Sequence, residues 1–97
     1  MYTRKAKVIN KTGLHARPAS DLTMKAKGFE SEIHLRNLDK EDSELINVKS
    51  IMRILASGIT CGTQIEIMAE GKDEKSAVDT LIDLIESGFG EKSQFTV

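Results

Sequence analysis

Two kinds of hydrophobic spacing alternate along this chain, and their order leaves few folds open. In short stretches apolar residues recur at every second position, which is the period of a strand buried on one face. In longer stretches they recur at every third or fourth position, which is the period of a helix with one buried face. The order of these stretches predicts the elements β-α-β-β-α-β-α.

Four alternating stretches are predicted to be strands. In the first, Ala6 and Val8 alternate with basic side chains, and in the last, Ile65 and Ile67 share one face. Strands with one apolar face form a sheet that is buried on one side and wet on the other. The predicted strands cover residues 4–9, 33–37, 45–48 and 64–69.

Three stretches with helical spacing separate or follow these strands. The first, 16–28, has Pro18 in its first turn, where the missing N–H costs nothing. The second is short and follows Ser50, a residue type that is favoured as an N-cap. The third runs from about residue 73 to 87. The predicted buried face of the first helix carries Ala16, Ala19, Leu22 and Ala26.

The order of the elements also predicts the topology. A helix that joins the first two strands makes them parallel, and leaves space for the fourth strand between them. The strand order 1-4-2-3 then makes every neighbouring pair antiparallel. We therefore predict an α+β fold in two layers, with a four-stranded antiparallel sheet and three helices on one face.

Length and charge narrow the class of protein. The 97 residues fit one domain, predicted at 1–88, with 89–97 as a C-terminal tail that we expect to be flexible. The formal net charge of −1 gives no global attraction to nucleic acid, whose binding depends on many phosphate contacts. No signal peptide and no bilayer-spanning apolar run is evident, so we expect a cytoplasmic protein without membrane insertion.

Cysteine and histidine are too sparse to predict a disulfide or a metal site. Cys61 is the single cysteine, so it has no partner for an internal disulfide. Neither His15 nor His34 stands at a short spacing from it that is typical of metal ligands. We therefore expect no metal and no cofactor, and interpret Cys61 as a loop or core residue and His34 as a surface residue.

The segment 13–19, GLHARPA, is where the sequence places unusual chemistry. It puts His15 between a turn and a helix start, where free N–H groups and the helix dipole favour an anion. Arg17 adds a guanidinium that suits phosphate oxygens, and a neutral imidazole is a nucleophile near neutral pH. These parts suffice to accept a phosphoryl group. The alternative interpretation is that His15 is an N-cap-like residue and Arg17 a solvated charge.

The same segment resembles the active-site signature of the HPr family, the histidine-containing phosphocarrier proteins of the bacterial sugar phosphotransferase system. The segments 47–52, 62–67 and 69–74 extend the resemblance, which covers residues 3 to about 87. It implies an open-faced β-sandwich and a carrier rather than an enzyme. The phosphoryl group would pass from phosphoenolpyruvate through Enzyme I to Nδ1 of His15, with Arg17 close by, and then to sugar-specific IIA domains.

Ser50 is given a second role by the resemblance, since 47–52 is similar to the family's regulatory serine segment. A kinase, HPr kinase/phosphorylase, would phosphorylate Ser50, and the modified form would bind a transcriptional regulator of carbon catabolism. An alternative function is therefore a regulatory HPr-like binding module controlled by Ser50; relatives of that kind lack the histidine, so His15 argues against it. A free-standing enzyme or nucleic-acid binder is disfavoured, because no general acid/base pair is evident.

A docking surface is expected beside His15. Adjacent helical positions diverge by about 100°, so Ile51, Met52 and Leu55 cannot all be buried. Exposed apolar side chains ringed by basic ones fit acidic partners that bind and leave quickly, and we expect a monomer. The chain departs from the family pattern in a longer 37–44 loop and at Arg53. The predicted surface contains Ala16, Arg17, Ser20, Met24, Ile51, Met52, Arg53 and Leu55.

Overall fold

The computed structural model describes residues 1–91, and its elements follow the predicted order. Where the sequence predicted seven elements, the structure has the same seven, followed by one turn of 3₁₀ helix. The elements are β1 (Tyr2–Lys7), α1 (Ala16–Lys27), β2 (Glu32–Asn37), β3 (Ile46–Asn47), α2 (Ile51–Ala56), β4 (Gln64–Glu70), α3 (Glu74–Glu86) and the 3₁₀ turn Gly88–Gly90.

The four strands form one sheet in the order β1-β4-β2-β3, and every neighbouring pair is antiparallel. In the pairing of β1 with β4, Tyr2 lies opposite Ala69 and Lys7 opposite Gln64. On the other side of β4, Leu35 lies opposite Ile67. The predicted strand order and the α+β fold are therefore confirmed.

The core lies between the inner face of the sheet and the three helices. Along β4 burial alternates strictly, because Ile65, Ile67 and Ala69 point inward and their neighbours point to the open face. Burying each large aliphatic side chain contributes about 1.5–3 kcal/mol, so this layer is the main source of stability. The fully buried large side chains are Val8, Leu14, Leu22, Ile33, Leu35, Ile54, Ile59, Ile65, Ile67, Leu81, Ile82 and Ile85.

Two strands differ in extent from the prediction. The first regular ladder ends at Lys7, although Val8 continues the pairing by donating its N–H to the Thr63 carbonyl at 2.9 Å. The third strand is only Ile46–Asn47, and Leu45 is 54% exposed rather than part of a ladder. The alternation of apolar residues predicts that a strand forms, but not how many of its residues pair with a neighbouring strand at the sheet edge.

The predicted buried face of α1 is correct except at its first position. Ala19, Leu22 and Ala26 are completely buried, but Ala16 is exposed. The backbone of Ala16 has φ +51°, outside the helical range, so this residue does not continue the helical face. Within residues 1–91, no helix is both long enough and apolar enough to cross a membrane.

Candidate functional site

A tightly bonded turn, 10–13, precedes His15. The side chain of Asn10 is buried and its Nδ2 donates to the Gly13 carbonyl at 2.8 Å, while the Gly13 N–H donates to the Asn10 carbonyl at 3.1 Å. Gly13 has φ +65°, and a Cβ there would lie 2.6 Å from the Ile59 carbonyl oxygen. This position therefore needs glycine both for its conformation and for the close approach of the neighbouring loop.

The residue before His15 fixes the turn to the core. Leu14 is completely buried, and its N–H donates to the Ile59 carbonyl at 3.0 Å. His15 itself is exposed and occupies the N-cap position of α1 with an extended backbone, φ −123° and ψ 161°. Its side chain makes no capping hydrogen bond. The imidazole thus stands at a helix start without being used to close it.

Ala16, directly after His15, has a strained backbone. Its φ of +51° lies in the left-handed region, which a residue other than glycine adopts at a cost of about 1–3 kcal/mol. Such strain persists where the surrounding structure fixes the chain on both sides, as Leu14 and the buried Pro18 do here. The N–H groups of Ala16 and Arg17 belong to the first turn, where a helix offers its donors no internal partner.

Arg17 extends from this turn into solvent. Its side chain is 89% exposed, and its Nε lies 3.8 Å from Oδ2 of Asp21, one turn further along α1. An ion pair this long and this exposed contributes about 0–1 kcal/mol. The guanidinium can therefore turn toward another anion at little cost.

The predicted docking residues lie on α1 and α2, which pack against each other. Met24 is 70% exposed, Met52 is 74% exposed and Ile51 is 36% exposed. Leu55 is partly buried and packs against the core. The expectation that the short helix α2 cannot bury all its apolar residues is confirmed. Ser20 and Arg53 are half-buried and exposed, respectively.

Ser50 is the N-cap of α2, as the sequence predicted, and its Oγ accepts a hydrogen bond from the Arg53 N–H at 3.3 Å. Its N–H donates to the Asn47 carbonyl at 3.0 Å. A shallow depression is lined by His34, Leu45, Asn47, Ser50 and Arg53, and within residues 1–91 no carboxylate lines it. An added negative charge at Ser50 would therefore meet a guanidinium and an imidazole.

The sequence did not identify Asn10, Thr12 or Glu91 as residues of this site. Residues 10–13 have the composition of an ordinary turn, and nothing in the sequence places position 91 near it. In the structure Thr12 donates its N–H to Oε1 of Glu91 at 3.2 Å and its hydroxyl to Oε2 at 2.8 Å. The strongest sign was the asparagine, which can bond a backbone group two or three residues on.

Cys61 is half-buried beneath the same region, with its Sγ 3.5 Å from the Ile9 carbonyl oxygen. Among residues 1–91, no three histidine, cysteine or acidic side chains are grouped closely enough to hold a metal ion. His34 is half-buried on β2, opposite Asn47 and Met68 in the sheet.

Known proteins resemble this chain over nearly its whole length. The family model for the PTS HPr component phosphorylation site matches residues 2–87. The phosphocarrier protein HPr of Treponema pallidum is 35% identical over 92 residues, which cover 95% of this chain and 100% of that protein. The crystal structure of HPr-C-His from Thermoanaerobacter tengcongensis has a TM-score of 0.86 and 42% identity, and the match covers 95% of this chain and 99% of that one.

A longer protein also contains a similar region. The multiphosphoryl transfer protein of Haemophilus influenzae is 44% identical over 82 residues, which are 84% of this chain. The chain spans only 16% of the length of that relative.

Proposed function

The chain belongs to the HPr family of phosphocarrier proteins, and from this premise we propose that it carries a phosphoryl group on His15. The donor is phosphorylated Enzyme I, charged by phosphoenolpyruvate, and the acceptors are sugar-specific IIA domains in the cytoplasm. The observation that carries the proposal is the exposed imidazole of His15 at the start of α1, which makes no capping bond. The protein acts as a monomer in this proposal.

The transfer step uses groups that surround His15. The lone pair of Nδ1 attacks phosphorus, a P–N bond forms, and the bond between phosphorus and the donor breaks. The N–H groups of Ala16 and Arg17 and the positive end of α1 then face the phosphoryl oxygens. The guanidinium of Arg17, held only weakly by Asp21, turns to the same oxygens. An exposed position lets the donor and the acceptor reach the same atom in turn.

The docking surface in this proposal is formed by α1 and α2. Exposed Met24, Ile51 and Met52 supply apolar contact area, while Arg17 and Arg53 supply positive charge for acidic partners. Ala16, Ser20 and Leu55 complete it. A surface of this kind makes a contact of small area with its partner, which suits complexes that must dissociate after each transfer.

Ser50 supports a second, regulatory function on the same chain. We propose that a serine kinase, HPr kinase/phosphorylase, modifies Ser50, and that the modified form binds a regulator of carbon catabolism. The observation in its favour is the depression around Ser50, because Arg53 and His34 line it and none of its described lining residues is acidic. About two negative charges there would disturb the docking of acidic partners on α2.

The experiment is phosphorylation with purified Enzyme I and phosphoenolpyruvate. We expect the intact chain to gain one acid-labile phosphoryl group, and peptide mapping to assign it to His15. His15→Ala should gain none, while its circular dichroism spectrum and melting temperature stay close to wild type because the side chain is exposed. Normal phosphorylation of the alanine variant would rule out His15 as the acceptor.

A further inference from the structure

The chain reverses direction after α3 through three successive left-handed residues. Gly88, Phe89 and Gly90 have φ values of +74°, +57° and +79°, and the Glu91 N–H donates to the Gly88 carbonyl at 2.9 Å. Left-handed backbone is ordinary for the two glycines and strained for Phe89. The ring of Phe89 packs partly against the core, which offsets this strain. After this reversal, Glu91 lies next to the turn 10–13.

The Glu91 carboxylate is hydrogen-bonded to Thr12, an exposed residue of that turn. It accepts the Thr12 N–H at 3.2 Å with one oxygen and the Thr12 hydroxyl at 2.8 Å with the other. The same hydroxyl accepts a long hydrogen bond from Asn10 Nδ2 at 3.4 Å. The bond from the Thr12 hydroxyl is the main reason that the pKa of Glu91 is lowered from its usual value. Both oxygens are thus available as acceptors at neutral pH.

We propose that Glu91 is a positioning residue for phosphoryl transfer, acting through Thr12 on the turn that carries His15. The inference rests on the proposed role of His15 as the phosphoryl acceptor. Gly13 and Leu14 are fixed from the core side, by Asn10 and Ile59. Glu91 fixes the turn from the solvent side, where the Thr12 hydroxyl also accepts the long hydrogen bond from Asn10.

Fixing both sides of the turn narrows the positions that the His15 ring samples. A nucleophile held close to its attacking geometry reacts faster, because less orientational freedom is lost on reaching the transition state. The effect should therefore appear in the maximal rate of transfer. The affinity for Enzyme I should be unaffected, because Glu91 acts through Thr12 and is not among the docking residues.

The test measures steady-state phosphorylation of the full chain by Enzyme I and phosphoenolpyruvate. Glu91→Ala should lower the maximal rate about three- to tenfold, with the Michaelis constant for Enzyme I unchanged. Thr12→Val should lower it by a smaller factor, because it removes the hydroxyl bond to Glu91 and leaves the N–H bond. The double variant should lose no more than Glu91→Ala, because both changes act on the same contact. Glu91→Gln should retain the wild-type rate, since its amide oxygen accepts the N–H and its NH₂ donates to the hydroxyl oxygen.

The control for removing a carboxylate is Glu70→Ala. Glu70 is exposed at the end of β4 that lies opposite the start of β1, so it is remote from the turn before His15. We expect the wild-type rate for this variant. Melting temperatures of all variants are compared with wild type, and Glu91→Gln and Thr12→Val keep the test valid if Glu91→Ala unfolds.

Three results would overturn the inference. They are a wild-type rate for Glu91→Ala, an equal loss for Glu91→Gln and Glu91→Ala, and a rise in the Michaelis constant in place of a fall in rate. The second would mean that charge acts rather than position, and the third would mean that Glu91 contacts Enzyme I. A wild-type chain that gains no phosphoryl group at all would instead refute the proposed function.

Discussion

Arg17 and His15 stand two positions apart at the start of α1, and neither side chain is committed to the fold. The His15 ring makes no capping bond, and the Arg17 guanidinium is exposed and lies 3.8 Å from the Asp21 carboxylate. Either side chain can therefore turn to a ligand at little cost to the fold. In the proposed transfer, the histidine forms the bond and the arginine stabilises the oxygens around it.

We predict that Arg17→Ala slows phosphorylation of His15 about tenfold without abolishing it, since a charge-assisted contact is lost and the nucleophile remains. Enzyme I kinetics would give the rate. Arg36→Ala is the matched control, because it removes the same charge at a different place. Arg36 pairs with Glu66 on the open face of the sheet. If Arg17→Ala and Arg36→Ala both transfer at the wild-type rate, Arg17 does not belong to the site.

At the residue scale, the chemistry that the sequence suggests for His15 and Arg17 stays a prediction, and the conformation of Ala16 was missed. The types and spacing of His15 and Arg17 were enough to suggest an anion site at a helix start. The left-handed backbone of Ala16 was not predictable, because alanine has no local preference for it. The preceding residue, Leu14, is held by a bond to Ile59, a contact that is distant in sequence.

Among the elements, α2 shows how a short helix combines stability with exposure. It has six residues, Ile51–Ala56, and is anchored inward by the buried Ile54. A helix this short is marginal by itself, so its cap at Ser50 and its packing on α1 matter. The exposed Ile51 and Met52 are then a consequence of length, since two turns cannot bury all of their side chains.

Ser50→Asp is predicted to keep the melting temperature, because aspartate is also a good N-cap, and to raise the Michaelis constant for Enzyme I at least about fivefold. Met52→Glu should raise it similarly, because it places the charge on the same helix and leaves the cap intact. Ser50→Ala should lower the stability by about 1 kcal/mol and leave the Michaelis constant near wild type. Equal Michaelis constants for the Asp and Ala variants would leave Ser50 with its capping role alone.

Across the whole molecule, Asp73 joins segments that are far apart in sequence. It stands at the start of α3 but makes no side-chain cap there. Its carboxylate instead accepts the N–H groups of Glu30 at 2.8 Å and Ser31 at 2.9 Å, and also the Ser31 hydroxyl. Gly71 lies against the same serine, since a Cβ there would be 2.6 Å from its Oγ. The segment between α1 and β2 is thereby held to the start of α3.

Asp73→Asn should lower the melting temperature at pH 7, and the difference from wild type should shrink in acid. The hydrogen bond from the Ser31 hydroxyl, followed by that from the Glu30 N–H, lowers the pKa of Asp73 from its usual value of 3.8. A lowered folded-state pKa stabilises the fold above the unfolded value, and this contribution is lost as pH falls through the folded value. Thermal melts from pH 7 to pH 2 give the comparison.

The control is Asp83→Asn on the exposed side of α3, which should follow the wild-type melting curve at every pH. A difference between wild type and Asp73→Asn that stays constant down to pH 2 would contradict the assignment. The sequence placed Asp73 at the start of a helix correctly, but its bonds to Glu30 and Ser31 arise from the tertiary fold. Strand order was predictable because connections obey general rules, whereas such single cross-links obey none.

The pairing of β1 with β4 has a consequence for how the protein is made. β1 is an edge strand, and its partner in the sheet lies in the last third of the chain. While the chain is synthesised from its N-terminus, β1 therefore waits unpaired until β4 has been added. The turn before His15 waits as well, because Leu14 bonds to Ile59. A nascent chain thus contains the complete GLHARPA segment long before that segment has its final shape, and competence for the proposed transfer arrives late, with the folded sheet.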